Sequence, residues 1–228
     1  MRTNNRHLLT PFFLLILTTV AFSQSTSRPD SVGKKTGLWI DTVKTADSFV
    51  IAEAEWKDGV PNGNCVYKHS DGSIWQHGQN RDGKKTGLWK TWNSSGNLES
   101  EGWFENDTEN GKWIYYYPNG KKRQEGTLVE GISQGQWTMY HPNGRKDGQG
   151  DFKDGKQDGI WTTWYDNGTK KAEGYFSSGL RQRTWRYFYE NGKKWAEGMW
   201  QDDEQVDVWM YWDKKGNAST EIKRVRMW

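Results

Sequence analysis

Histidine and cysteine are the first side chains to consider in this sequence as metal ligands or nucleophiles. The chain of 228 residues has four histidines and one cysteine; the histidines are His7, His69, His77 and His141. No histidine stands at a metal-ligand spacing from a second ligand, and one cysteine cannot supply a thiolate cluster. The sequence therefore predicts no metal site, no cofactor and no enzymatic activity.

A repeated carboxylate is the other candidate for chemistry. It recurs in one constant phase along the chain, as Glu101, Glu125, Glu173 and Glu197. A glycosidase needs one unique pair of carboxylates at a fixed separation, whereas these recur in unit after unit. We expect them to have a structural role, either a hydrogen bond to a neighbouring turn or an ion pair with lysines of the type of Lys121 and Lys193.

These residues belong to an internal repeat with a period of about 24 residues. The tryptophan of a Gly-x-Trp sequence, or of a variant of it, recurs with that period: Trp89, Trp113, Trp137, Trp161, Trp185 and Trp209. Turn glycines keep the same phase: Gly96, Gly120, Gly144, Gly168 and Gly192. A further glycine series, mostly preceded by Glu, runs through Gly78, Gly102, Gly126, Gly150, Gly174 and Gly198.

Exceptions to the repeat suggest packing roles for residues that could otherwise look reactive. Cys65 stands one period before Trp89, where other units carry tryptophan, so we expect a packing substitution. His69 and His141 stand where other units carry tyrosine, as at Tyr165. We therefore expect the two histidines to replace an aromatic ring.

Each unit predicts two strands joined by tight turns. Asn-Gly between aromatic-rich runs is a strong hairpin signal because both residues tolerate positive φ, and Asp-Gly marks the return. Strands of about six residues leave no room for a helix, and short connections keep sequence neighbours adjacent in space. The sequence predicts an all-β fold, an elongated single-sheet antiparallel meander of about 15 strands.

Side-chain alternation places aromatic rings on both faces of such a sheet. The tryptophans of Gly-x-Trp lie on one face. A second aromatic series, three residues further on, lies on the other face and is the candidate binding surface: Trp92, Tyr116, Tyr140, Trp164, Phe188 and Trp212. The sequence does not decide which series forms the core.

The segment 1–23 has the layout of a secretory signal peptide. Arg2 and Arg6 precede an apolar run from Leu8 to Val20, and Ala21-Phe22-Ser23 ends it. We expect cleavage before Gln24, a short linker over 24–32 and about eight repeats over 33–228. An uncleaved anchor helix is the alternative. The mature chain is expected in the periplasm, on the cell surface or released.

Charge argues against two classes of partner. The whole chain has 32 basic and 29 acidic residues, and removing the signal peptide takes two arginines, leaving 30 against 29. Lysine and glutamate then alternate without a block of one sign. A protein that binds nucleic acid or an anionic membrane usually carries a stripe of basic residues. The sequence therefore predicts neither partner.

The units GIWTTWYDNGTKKAEGYFSSG and GKWIYYYPNGKKRQEG resemble the MORN-repeat variant, a bacterial relative of the membrane occupation and recognition nexus repeat. The resemblance runs from Gly33 to Trp212. It implies an elongated β-hairpin array and a scaffolding role in protein–protein interaction. Some bacterial members are catalogued as antitoxins, which implies an antitoxin-like inhibitor of a partner protein as an alternative.

We therefore expect an exported, non-enzymatic repeat scaffold that binds protein. A glycan- or cell-wall-binding module is the other alternative, since aromatic-rich hairpin repeats of secreted proteins also occur in choline- and glucan-binding arrays. The oligomeric state stays open.

Overall fold

A computed structural model describes residues 22–23, 29–44, 49–218 and 223–224, and all regular structure in them is β-strand. The strands are β1 Phe22–Ser23, β2 Gly37–Lys44, β3 Phe49–Lys57, β4 Val60–Lys68, β5 Ile74–Arg81, β6 Lys84–Trp92, β7 Leu98–Glu105, β8 Thr108–Tyr116, β9 Lys122–Val129, β10 Ile132–Tyr140, β11 Lys146–Lys153, β12 Lys156–Trp164, β13 Lys170–Ser177, β14 Leu180–Phe188, β15 Lys194–Gln201, β16 Glu204–Tyr211 and β17 Lys223–Arg224. In this part of the chain no helix is long and apolar enough to cross a membrane.

The strands form one open antiparallel meander. Every strand from β2 to β16 pairs with the next one along the chain. The two-residue strands β1 and β17 pair with β2 and β16 at the two ends of this series. The predicted all-β meander of about 15 strands is confirmed. The predicted strand length is too short, because β2 to β16 have eight or nine residues each.

The tryptophans of Gly-x-Trp form the core. From Trp89 to Trp209 they are only 1–5% exposed, and Cys65 at the equivalent position is 1% exposed. Phenylalanines of neighbouring strands pack edge-on against them, with ring centroids 5.3 Å apart for Phe152 and Trp161. Each such Trp from Trp89 to Trp185 also donates its indole N–H to a backbone carbonyl ten residues earlier. The series that forms the core is therefore the one that begins each unit.

The glycine series that contains Gly150 makes room for these rings. A Cβ atom on Gly150 would lie 2.4 Å from Cδ2 of Trp161, and the other five glycines of the series meet their tryptophans at 2.1–2.3 Å. Only a residue without a side chain lets the indole lie flat on the preceding strand. The pair Ala54 and Cys65 supports this explanation, because alanine replaces the glycine where the tryptophan is replaced by a small residue.

The turns differ from the prediction. Asn119-Gly120 places only the glycine at positive φ (78°), and Gly120 N–H bonds to the Tyr117 carbonyl, as in a type I turn with a bulge. The Asp-Gly turns have both residues at positive φ, for example Asp154 at 51° and Gly155 at 75°. The two-residue turns that need left-handed geometry are thus at Asp-Gly. The expectation that the Asn of Asn-Gly takes positive φ is wrong. Its side chain forms hydrogen bonds in the turn instead.

The N-terminal predictions fall mostly outside the described residues. Of the predicted signal peptide only Phe22 and Ser23 are described, and they pair with Thr42 and Asp41 of β2. Residues 1–21 and 24–28 lie outside, as do 219–222 and 225–228 at the other end. Cleavage before Gln24 and the linker boundaries therefore stay predictions.

Candidate interaction surface

The Asn-Gly turns are connected to one another by side-chain hydrogen bonds. Asn143 accepts a hydrogen bond from the Arg145 backbone N–H (2.9 Å) and donates one to the Asp166 carbonyl of the next turn (2.7 Å). The aromatic residue at the start of the turn reaches the next unit in the same way, as Tyr165 does to the Phe188 carbonyl (2.8 Å). The Asn-Gly turns at this end of the strands therefore hold neighbouring units together.

Histidine can take the tyrosine place in this arrangement. The Nε2 atom of His141 lies 2.9 Å from the Trp164 carbonyl oxygen, which is the bond that Tyr165 makes one unit later. His69 packs against Trp75 with ring centroids 6.3 Å apart. Both histidines replace aromatic rings, as expected.

The face of the sheet opposite the buried tryptophans is here called the outer face. It presents the six residues of the candidate binding surface, all of them half-buried: Trp92, Tyr116, Tyr140, Trp164, Phe188 and Trp212. Lysines of the preceding strand cover three of the rings, with Nζ 5.8 Å from the ring centroid of Trp164, 5.9 Å from that of Phe188 and 4.6 Å from that of Trp212. These rings therefore offer a partner only part of their surface.

The repeated carboxylates lie on the same face, in contact with this aromatic series. Glu125 accepts a hydrogen bond from the Tyr140 hydroxyl (2.6 Å) and pairs with Lys122 (3.0 Å) and Lys112 (3.2 Å). Burial alone would raise the pKa of Glu125, but the bonds from Tyr140, Lys122 and Lys112 lower it to about 2. Burial and the bond to Glu125 raise the pKa of Tyr140 to about 12. The carboxylate is thus held ionised as part of a structural pair.

Other units repeat these contacts, so the expected structural role of the carboxylates is confirmed. Lys194 bonds to Glu197, and Lys170 to Glu173 at 2.6 Å. The expected lysine partners were wrong. Lys121 donates instead to the Asn143 carbonyl (2.6 Å), and Lys193 to the Lys215 carbonyl (2.5 Å). The reason is that the lysine three residues before Glu125, Glu173 or Glu197 lies on the outer face beside it. Glu101 has Leu98 at that place and pairs with Lys90 at 3.0 Å.

Exposed apolar side chains are the feature of the outer face that the periodic pattern did not reveal. Leu88 and Trp103 are register partners in β6 and β7, and they are 43% and 52% exposed. Ile160 is 70% exposed, and Met199 is 43% exposed. Intervening units carry polar residues at the Trp103 position, such as Thr127. The repeat therefore does not identify these residues as exposed. Only the alternation of side chains along the strand places them on the outer face.

The outer face also has a shallow, open depression of about 320 Å³. Its lining is Lys112, Glu125, Gly126, Thr127, Gln136 and Thr138. The two charged groups of the lining pair with each other, and the rest offers hydroxyl and amide groups. Within the described part of the chain, no group of three or more His, Cys, Asp or Glu residues is placed to hold a metal ion. What the face can do chemically is bind by apolar contact and hydrogen bonds.

Comparison with known protein families identifies the repeat. A family model described as the MORN repeat variant matches residues 85–106, 109–129, 157–177 and 184–202. Each match covers most of one hairpin, namely β6–β7, β8–β9, β12–β13 and β14–β15. No curated protein matches the chain. The resemblance found in the sequence is confirmed for these four repeats within residues 85–202.

Proposed function

Residues 85–202 carry MORN repeat variants, and from that premise we propose that the chain is an exported, non-enzymatic scaffold that binds other proteins. A regular sheet of similar hairpins supports this role, because it holds a broad surface in one shape. The signal-peptide layout of the segment 1–23 supports export. Export also argues against an antitoxin that inhibits a cytosolic toxin.

The observation that carries the proposal is the exposed pair of Leu88 and Trp103. The Trp103 ring is 52% exposed and directly opposite a leucine that is 43% exposed. Covering about 100 Å² of apolar ring surface contributes roughly 2–3 kcal/mol. Tryptophan is enriched among the residues that dominate protein interfaces. Partner binding is therefore centred on β6 and β7 of the outer face, with the half-buried rings beside it.

Capture from a native envelope fraction tests this function. The chain from Gln24 to Trp228 is immobilised, and the fraction is applied with and without prior protease treatment. A protein partner is lost after protease. Material that survives protease is glycan or lipid, and that result contradicts the scaffold and favours the glycan-binding alternative.

One substitution connects the captured partner to the proposed surface. Trp103→Thr introduces the residue that the array already carries at Thr127, one period later. The fold is therefore retained, and capture is expected to fall at least tenfold. The matched control is Tyr175→Thr. Tyr175 lies two periods after Thr127 at the same outward position, and its replacement is expected to leave capture unchanged. Equal capture by wild type and Trp103→Thr contradicts the surface.

A further inference from the structure

We infer that the array associates side by side with further copies of itself, through two rims of opposite charge. The basic rim consists of the turns that follow β8, β10, β12, β14 and β16. The acidic rim consists of the turns that follow β7, β9, β11, β13 and β15. Consecutive strands of a meander run in opposite directions, so every second turn lies at the same end of the strands.

The two rims carry opposite net charge. Each turn extends from the last residue of one strand to the first residue of the next, and the turn after β16 covers 211–217. The basic rim has nine basic and three acidic residues, a net charge of +6. The acidic rim has seven acidic and two basic residues, a net charge of −5. Basic and acidic turns alternate along the chain, so this separation of charge exists only in the folded sheet.

Ion pairs within the chain neutralise only part of this charge. Lys122, Lys170 and Lys194 of the basic rim pair with one glutamate each on the outer face. Asp203 of the acidic rim pairs with Arg181. Counting those three glutamates and that arginine leaves net charges of +3 and −4 on the two rims. Each rim therefore keeps charge that a second molecule can meet.

Other cations of the basic rim are held in place by neutral groups. The Lys121 ammonium donates to the Asn143 carbonyl at 2.6 Å, and the Arg145 guanidinium donates to the Asp166 carbonyl at 3.2 Å. Both side chains belong to exposed residues. A backbone carbonyl fixes the position of a cation without cancelling its charge. Binding then orders these side chains at little further cost in entropy.

Carboxylates of the acidic rim are held in the same way. Asp154 accepts a hydrogen bond from the Gln134 side-chain amide at 2.9 Å, and Asp202 accepts one from that of Gln182 at 2.6 Å. Both aspartates are exposed. The acidic rim is therefore also a row of fixed charges that neutral donors leave uncompensated.

The spacing of the turns makes a second copy of this chain the matching partner. Neighbouring turns of either rim are two strands apart, which is about 10 Å. One chain forms both rims, so the basic turns of one copy have the same spacing as the acidic turns of another. With two copies in register, the turns after β8 and β10, at +2 each, face those after β7 and β9, at −2 and −1. The turn 211–217, at +1, faces Gln201–Glu204, at −3.

A contact between unlike rims produces rows of molecules. Each added copy leaves one basic and one acidic rim free, so the contact does not close at a dimer. Both faces of every sheet stay accessible, and the exposed pair of Leu88 and Trp103 is repeated in each copy. The inference thus goes beyond the proposed function and does not depend on it. Exposed ion pairs are individually weak and are screened by salt, so the rows should form at low ionic strength.

Sedimentation velocity of the chain from Gln24 to Trp228 tests the inference. Charges act across about 30 Å at about 0.01 M salt and across about 3 Å at about 1 M. At low salt the average mass should rise with concentration and pass that of a dimer. At high salt the association constant should fall at least about tenfold. A monomer at every concentration in low salt, a closed dimer, or association that persists at high salt contradicts the inference.

Charge reversal on one rim at a time locates the contact. Glu130→Lys/Glu204→Lys changes the acidic rim, and Lys121→Glu/Lys215→Glu changes the basic rim. Each variant alone is expected to associate at least about tenfold more weakly than wild type. In an equal mixture, the intact basic rim of the first variant meets the intact acidic rim of the second. The mixture should therefore form pairs that do not grow, and a mixture that stays monomeric overturns the inference.

The matched control is Lys57→Glu/Lys84→Glu. It changes the net charge of the chain as much as Lys121→Glu/Lys215→Glu does, but at exposed residues of the turns after β3 and β5, outside both rims. It is expected to associate as wild type does, and an equal loss contradicts the rims. Circular dichroism checks that each variant is folded; if one is not, the salt dependence of the wild type decides. Binding to phosphatidylglycerol vesicles by a chain that stays monomeric would make a membrane the occupant of the basic rim and overturn the inference.

Discussion

Replacing Gly150 with alanine tests whether the fit of tryptophan onto glycine sets the stability of the array. The new Cβ atom would lie 2.4–2.5 Å from Cδ2, Cε2 and Cγ of Trp161. Comfortable carbon–carbon contacts are about 3.5–4.0 Å. The indole must therefore move by more than about 1 Å, away from a strand that it now touches.

The indole has little freedom to make that movement. Trp161 is 2% exposed, and its N–H donates to the Asp151 carbonyl at 3.0 Å. Phe152 holds one side of the ring at 5.3 Å between centroids, and Phe176 holds the other at 6.2 Å. Overpacking of this kind costs about 1–3 kcal/mol, and a weakened hydrogen bond adds roughly 1 kcal/mol. We expect Gly150→Ala to destabilise the array by about 2–4 kcal/mol.

Gly148 in the same strand is the matched control. A Cβ atom there would meet Met139 Sδ at 3.7 Å and Thr163 Cγ2 at 3.9 Å, which are ordinary contacts. The φ angle of Gly148 is not in the left-handed region. Alanine then gains from the reduced entropy of the unfolded chain, by about 0.4–1 kcal/mol. Two glycines two residues apart are thus expected to respond with opposite sign.

Urea unfolding followed by circular dichroism measures the stability of both variants. The native pair Ala54 and Cys65 suggests that a cysteine in place of the tryptophan would tolerate alanine in place of the glycine. In a Trp161→Cys background, Gly150→Ala should cost less than about 0.5 kcal/mol, because the ring that it meets is gone. The reasoning is refuted if Gly150→Ala and Gly148→Ala shift the midpoint equally, or if the cost of Gly150→Ala is unchanged without the indole.

Hydrogen bonds are the basis of three further predictions. Trp161→Phe should cost about 1 kcal/mol more than Trp209→Phe in urea unfolding, because the buried Trp209 N–H has no partner in the described chain; equal losses would contradict this. Asn143→Ala removes both turn bonds and should cost about 1–2 kcal/mol, measured in the same way, and an unchanged midpoint would argue against the turn network. Glu125, partly buried, has a pKa of about 2 in the folded chain against about 4.3 when unfolded. Its contribution is complete above the unfolded pKa, so the urea midpoint should fall as pH drops from about 5 to about 2, and Tyr140→Phe should make this fall shallower.

Much of the fold could be predicted because the repeat contains it locally. A tryptophan, two turn signals and an alternating strand pattern return in nearly every unit. Short turns leave consecutive strands no choice except to pair. The meander and the packing role of Cys65 follow from that pattern alone.

The candidate site was less predictable. The six outer-face rings were placed by alternation, and the structure has them half-buried on one face. Leu88 and Trp103 were missed because the pair does not recur one period later, where Lys112 and Thr127 stand. The lysine partners of the glutamates were wrong because the expected lysine, such as Lys121, turns toward the next unit, whereas its neighbour Lys122 pairs with Glu125.

The sequence by itself determined the strand order, the turn positions and the residues that recur, since these depend on local propensity and spacing. Only the tertiary structure decided which face is buried and why one glycine series is needed. The buried face depends on the register between strands, which shifts at a bulge in every strand pair from β3–β4 to β15–β16, as between Gln149 and Asp151. The shift sets the indole of Trp161 over Gly150 and its N–H against the Asp151 carbonyl. Contacts across strands, and not the pattern along one strand, place the core.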